Sequence, residues 1–71
     1  MKFDYLIYVV SDNDGNKCAV TADEPSDGVQ ICGLKNPDGK RVSFESEAYH
    51  LKDWCEKEGL ELSIRPMSVE I

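Results

Sequence analysis

The side chains with the most chemical potential are Asp12, Asp14 and Asn16, the single histidine His50, and the cysteines Cys18, Cys32 and Cys55. Asp12-x-Asp14-x-Asn16 sets oxygen ligands at positions one, three and five of a calcium loop, and Asp23 falls at position twelve. Position six, however, is Lys17 where the loop needs glycine, and position twelve lacks the bidentate glutamate. Both flanks read as strands, so hairpin-turn chemistry explains the same residues and no metal is expected.

A thiol–imidazole pair would need His50 beside a cysteine. Cys55 belongs to the predicted apolar stripe of a helix, whereas His50 lies off it toward Trp54 and Lys57, so His50 is expected at the surface. Three scattered cysteines and one histidine, without a C-x-x-C, do not have zinc-site spacing. An odd number of cysteines is no disulfide framework either, and buried free thiols acting as small hydrophobes are expected. No G-x-S-x-G, P-loop or G-x-G-x-x-G occurs. The expectation is a protein with no catalytic residues and no cofactor, not an enzyme.

The positioning elements centre on one helix. Ser46 reads as its N-cap and Glu47 as a favourable charge at the positive end of its dipole. Gly59 reads as the left-handed residue that ends it, with Leu60 touching Cys55 as in a Schellman motif. At about 100° per residue, Ala48, Leu51 and Cys55 share one stripe with Trp54 on its flank. Lys52, Asp53, Glu56 and Lys57 lie opposite, and Asp53 and Lys57 stand in the favourable i,i+4 order for an ion pair. Tyr49 projects from the polar side, either onto a neighbouring loop or as an exposed anchor for a partner.

Four strands precede the helix. Phe3–Val10 has one face of Phe3, Tyr5, Ile7 and Val9 and another of Asp4, Leu6, Tyr8 and Val10. Both become apolar toward the end, which suggests a central strand. The turn 11–16 leads to Lys17–Ala22, and the polar connection 23–28 leads to Val29–Leu34, with Gly33 expected as a bulge. Asn36-Pro37-Asp38-Gly39 is the strongest turn signal and leads to Lys40–Phe44. After the helix, Leu60, Leu62 and Ile64 alternate with Glu61, Ser63 and Arg65, a half-buried strand. Pro66 is expected to stop its pairing, with Met67–Ile71 a short further edge.

The order β-β-β-β-α-β predicts a single α+β domain over residues 1–71. Its expected form is a small, mainly antiparallel sheet with the helix on one face; a partly open barrel plugged by the helix is the alternative. One helix covers one side of such a sheet, so Leu6, Tyr8 and Val10 are expected on the uncovered side. There they would meet the tail, a second copy or a partner.

The 71 residues carry a net charge of −6, with −4 in residues 1–34 and −2 in residues 35–71. That balance argues against direct binding of nucleic acid or anionic lipid. No apolar run approaches the length of a membrane span. The Leu6–Val10 run is too short for a signal peptide, so a cytoplasmic protein is expected. Asp12 and Asp14 stand at one end of the second strand and Asp23, Glu24 and Asp27 at the other, roughly 20 Å apart at strand rise. Such carboxylates could imitate nucleic-acid phosphates in the groove of a basic protein.

In size, acidity and lack of a catalytic motif the chain resembles small phage-encoded inhibitors, anti-CRISPR proteins among them, a likeness of composition alone. The expected function is a non-catalytic inhibitor or adaptor engaging a basic, nucleic-acid-binding protein partner. Its expected contact residues are Asp12, Asp14, Asp23, Glu24, Asp27, Tyr49, Trp54, Leu6 and Tyr8. A self-associating homodimer is the alternative, and a thiol or metal protein using His50 and the cysteines a third reading.

Overall fold

The computed structural model describes residues 1–71. Five strands and one helical segment follow in the expected order: β1 (Lys2–Ser11), β2 (Lys17–Ala22), β3 (Gly28–Lys35), β4 (Arg41–Glu47), a 3-10 turn (Ala48–His50) continuing into α1 (Leu51–Glu58), and β5 (Glu61–Glu70). The strands form two antiparallel sheets, one ordered β2-β1-β5 and the other the β3-β4 hairpin, and neither closes into a barrel.

Alternation along β5 explains how the larger sheet faces. Leu60 and Leu62 pack on the core, while Glu61 and Ser63 point away. The β1–β5 register pairs Tyr8 with Ile64 and Val10 with Leu62, and the β1–β2 register pairs Tyr8 with Val20 and Val10 with Cys18. Even-numbered side chains of all three strands therefore share the face on which the hairpin and helix pack. Tyr8 is 3% exposed and Val10 fully buried, with Leu6 packed against the same core. This corrects the sequence expectation: Leu6, Tyr8 and Val10 form the covered face, and Phe3, Tyr5, Ile7 and Val9 the uncovered one. A shift of one residue in parity exchanges the two sets, and β1 is apolar on both.

The core joins the sheets through Val29, Ile31, Leu34 and Phe44 of the hairpin and Ala48, Leu51 and Cys55 of the helix. Trp54 lies half-buried over Phe44, ring centroids 5.3 Å apart and planes inclined at 49°. β3 bulges between Ile31 and Leu34, where Gly33 takes φ +82°. The bulge brings both Ile31 and Leu34 inward despite their odd spacing and turns Cys32 to solvent. Cys32 is thus an exposed thiol, contrary to the expectation of three buried ones; Cys18 is half-buried and Cys55 buried, and all three are free.

The helix starts differently from its sequence signature. Pairing of Gly28 with Glu47 and Val29 with Ser46 carries β4 through both residues, so Ser46 is a strand residue and not an N-cap. Its hydroxyl donates to Glu47 Oε2 at 2.6 Å. The first helical N–H groups find other acceptors: Ala48 N–H donates to the Asp27 carbonyl at 2.8 Å and Tyr49 N–H to the Pro25 carbonyl at 3.0 Å. A backbone loop performs the satisfaction that a capping side chain usually provides. The C-terminus is as expected, with Gly59 left-handed and both its N–H and that of Leu60 donating to the Cys55 carbonyl. Asp53 and Lys57 form no ion pair, their side chains pointing into solvent.

Pro66 does not end pairing. β5 continues past it to Glu70, opposite the whole of β1. As β5 is an edge strand, a residue without an N–H is tolerated on its free side. Because β2 pairs only with Leu6–Ser11, the outer halves of β1 and β5 project as a two-stranded arm, and the molecule measures 45 × 22 × 16 Å. Met1 and Ile71 close the arm by two 2.7 Å bonds, the terminal ammonium to the Ile71 carbonyl and Ile71 N–H to the Met1 carbonyl.

Candidate functional site

Two surfaces stand out, one acidic and one apolar. The acidic surface forms where the 23–27 turn meets the start of the helix. Asp27 Oδ2 accepts from the N–H groups of Asp23 at 2.9 Å and Glu24 at 3.1 Å, which folds the turn on itself. The carbonyls of Pro25 and Asp27 then fasten it to Tyr49 and Ala48. Beside it lies an open depression of about 560 Å³ lined by Ser26, Gly28, Val29, Gln30, Glu45, Ser46 and Glu47, with no lysine or arginine among them. Hydrogen bonds from the Ser46 hydroxyl and from its own backbone hold the Glu47 carboxyl below the ordinary range, against partial desolvation, with a smaller contribution from His50. His50 Nε2 stands 3.7 Å from Glu47 Oε2, an ion pair only when the imidazole is protonated, and the Tyr49 ring lies against the imidazole at 4.1 Å between centroids. Tyr49 itself is 56% exposed.

The structure therefore joins the 23–27 turn and Tyr49 with Glu45 and Glu47, two residues absent from the sequence-based set, while Asp23, at the far end of that turn, lies beside Tyr5 and Met67. Their involvement follows from the β3–β4 register, which places Gly28 opposite Glu47 and Gln30 opposite Glu45. No local sequence signal marks them.

Asp12 has a different role. Its Oδ1 accepts from the N–H groups of Asp14 at 3.0 Å and Asn16 at 2.8 Å. Its Oδ2 accepts from Asn16 Nδ2 at 3.0 Å and from the Lys35 N–H at 3.1 Å. Burial tends to raise its pKa, but these four donors together hold it below the ordinary carboxylate value. Asp12 thus fastens the β1–β2 turn to the end of β3 and has no free oxygen for a partner, which corrects its place among the contact residues. Asp14 remains exposed on that turn, away from the acidic depression. Trp54 is largely committed to Phe44, and Tyr8 is buried in the core, so neither presents a free docking ring.

The apolar surface is the outward face of the β2-β1-β5 sheet. Its rows pair Phe3 with Val69, Tyr5 with Met67, Ile7 with Arg65 and Val9 with Ser63, and β2 adds Thr21 beside Ile7 and Ala19 beside Val9. Phe3, Met67 and Val69 are between 40% and 48% exposed.

Around the thiols, burial pushes Cys55 up to about 11, which leaves it protonated and inert at neutral pH. No three His, Cys, Asp or Glu side chains converge as metal ligands, and no helix is long and apolar enough to cross a membrane. No protein-family model matches the chain, and no curated protein or solved structure matches it.

Proposed function

We propose that this is a non-catalytic binding protein that engages a basic protein partner through the acidic depression at the helix start. The observation that carries the reading is the lining of that depression. Glu45 and Glu47 face it, the acidic 23–27 turn borders it, and no lysine or arginine lines it. Carboxylates held on a rigid scaffold with no lysine or arginine beside them attract a basic surface and raise its association rate. Tyr49, held at the rim by its backbone bond to Pro25, supplies an aromatic anchor. The partner would be a nucleic-acid-binding protein whose phosphate-binding groove the carboxylates occupy, as an inhibitor or adaptor does.

The remaining polar chemistry supports a binding role over a catalytic one. Asp12 is consumed in holding two turns together, Cys55 is sealed in the core, and His50 is engaged with Tyr49 and Glu47.

The test is retention of partners from nuclease-treated native lysate at low and high salt, read by mass spectrometry. A stoichiometric basic partner, lost at high salt and lost on charge reversal of Asp23, Glu24, Glu45 and Glu47, is expected. Retention that ignores both salt and charge reversal would sink the proposal.

A further inference from the structure

The outward face of the β2-β1-β5 sheet has no cover within the chain. Phe3, Tyr5, Ile7 and Val9 run along it in one line, flanked by Met67 and Val69. None of these six side chains packs on the core. We infer that this face is buried against the same face of a second copy, making the protein a face-to-face dimer.

Three features favour a second copy over other occupants. The first is charge. Of the fourteen acidic side chains, Glu61 lies on this face at its rim and Asp23 stands at its edge beside Tyr5 and Met67, balanced by the cations Lys17 and Arg65. A basic partner would find no net negative charge here to attract it, whereas the chain's overall charge of −6 disfavours phosphate and anionic lipid. A nearly neutral apolar surface is the complement required, and the face itself is one. Its two acids and two cations lie along its margins, so two copies meet without burying a net charge.

The second feature is area. The strands are ten, six and ten residues long. β2 lies beside Leu6–Ser11 alone, so at about 3.4 Å per residue and about 4.8 Å between strands the two-strand ribbon from the Phe3–Val69 row to the Val9–Ser63 row measures roughly 24 by 10 Å. Two copies would bury on the order of 500 Å² of flat area in total, and more once the relief of the side chains is counted, which suits a weak, concentration-dependent dimer.

The third is self-complementarity. A twofold axis lying in the interface, across the strands between the Tyr5–Met67 and Ile7–Arg65 rows, stacks Phe3 of one copy on Val9 of the other. Tyr5 then meets Ile7, and all six apolar side chains are covered. Arg65 reaches over Met67 and toward the Tyr5 ring of the second copy, its stem buried and its head group at the rim. Ser11, Lys17 and Glu61 fall outside the overlap, in water. The acidic depression is not part of this surface, so the dimer would carry two of them.

Sedimentation equilibrium of the full chain from micromolar to millimolar concentration tests the inference. Twice the mass of one chain is expected. Tyr5→Lys and Ile7→Lys should each raise the dissociation constant by at least about thirtyfold, the size of a hot-spot loss. Circular dichroism should stay unchanged, because both positions lie off the core. A chain that stays monomeric throughout, or whose face binds an apolar dye at dimer-forming concentrations, overturns the inference and leaves the face to another partner. A dimer that survives both lysines also overturns it, since the copies would then meet elsewhere, as along the free edge of β5.

Discussion

The ring of Pro37 fills the space in which a side chain on Gly59 would begin: a Cβ at Gly59 would stand 2.8 Å from Pro37 Cγ and 2.9 Å from Cδ. The tip of the β3-β4 hairpin is thereby seated on the end of the helix. Asn36 assists, its Nδ2 donating to Glu58 Oε2 at 3.5 Å, while its Oδ1 accepts from the Lys40 N–H within the turn. Two local stop signals, one ending a strand and one ending a helix, are in contact.

Gly59→Ala should therefore be costly on two counts. The φ of +71° costs an alanine roughly 1–2 kcal/mol by itself, and the new Cβ meets the proline ring. Urea unfolding of Gly59→Ala, Pro37→Ala and the double variant separates the two. The double variant should lose less than the two single losses combined, because removing the ring relieves the clash. Strict additivity would mean that the contact carries no energy.

Ser46→Ala tests the helix start. Removing a true N-cap costs about 1 kcal/mol. Here the Asp27 and Pro25 carbonyls serve the first N–H groups, so the substitution should cost clearly less. A Pro25-to-glycine change that loosens the 23–27 turn should be the more damaging of the two.

Asp12 links stability to pH. Its folded pKa is depressed below the unfolded value near 3.8, so its contribution is present above that value. It is lost as pH falls through the depressed folded value. Asp12→Asn removes that charge, and its stability deficit against the parent should be constant from neutral pH down to about 5 and shrink only in stronger acid. A deficit that vanishes by pH 5 would contradict the four donors.

The thiols should separate by accessibility and pKa. Cys32 is expected to react first with a thiol reagent at mildly alkaline pH, Cys18 next, and Cys55 only on unfolding. The raised folded pKa of Cys55 favours the fold while the thiol is protonated. That contribution is complete below the unfolded value near 9 and declines as pH rises through about 11. Fast modification of Cys55 in the native protein would show that the helix does not cover it.

Leu51 is fully buried at the junction of helix and sheets. Leu51→Ala should cost about 2–5 kcal/mol, enough to unfold much of so small a domain. A thermal melt and amide exchange would read the loss, whereas the exposed Ile64→Ala should be far milder.

Much of this molecule was written in local sequence. The element order, the Asn36–Gly39 turn, the Gly33 bulge and the Gly59 stop each rest on contacts between near neighbours or on a φ that glycine alone adopts freely. The alternation of Leu60, Leu62 and Ile64 likewise named the inward face of β5. Other features depended on pairing between distant residues. β1 is apolar on both faces, so only its register with β5 decided that Tyr8 and Val10 go in and Phe3, Tyr5, Ile7 and Val9 stay out. Asp12 read as a free carboxylate until the Lys35 N–H, twenty-three positions away, took its second oxygen. Ser46 read as a cap until the hairpin claimed it for β4 and distant carbonyls took over its task. Glu45 and Glu47 joined the acidic surface by the same pairing. Sequence determined where the chain bends and which stretches extend or coil, since torsion preference is local. Tertiary structure decided which face is covered and which carboxylates stay free, since burial and hydrogen-bond satisfaction depend on partners far along the chain.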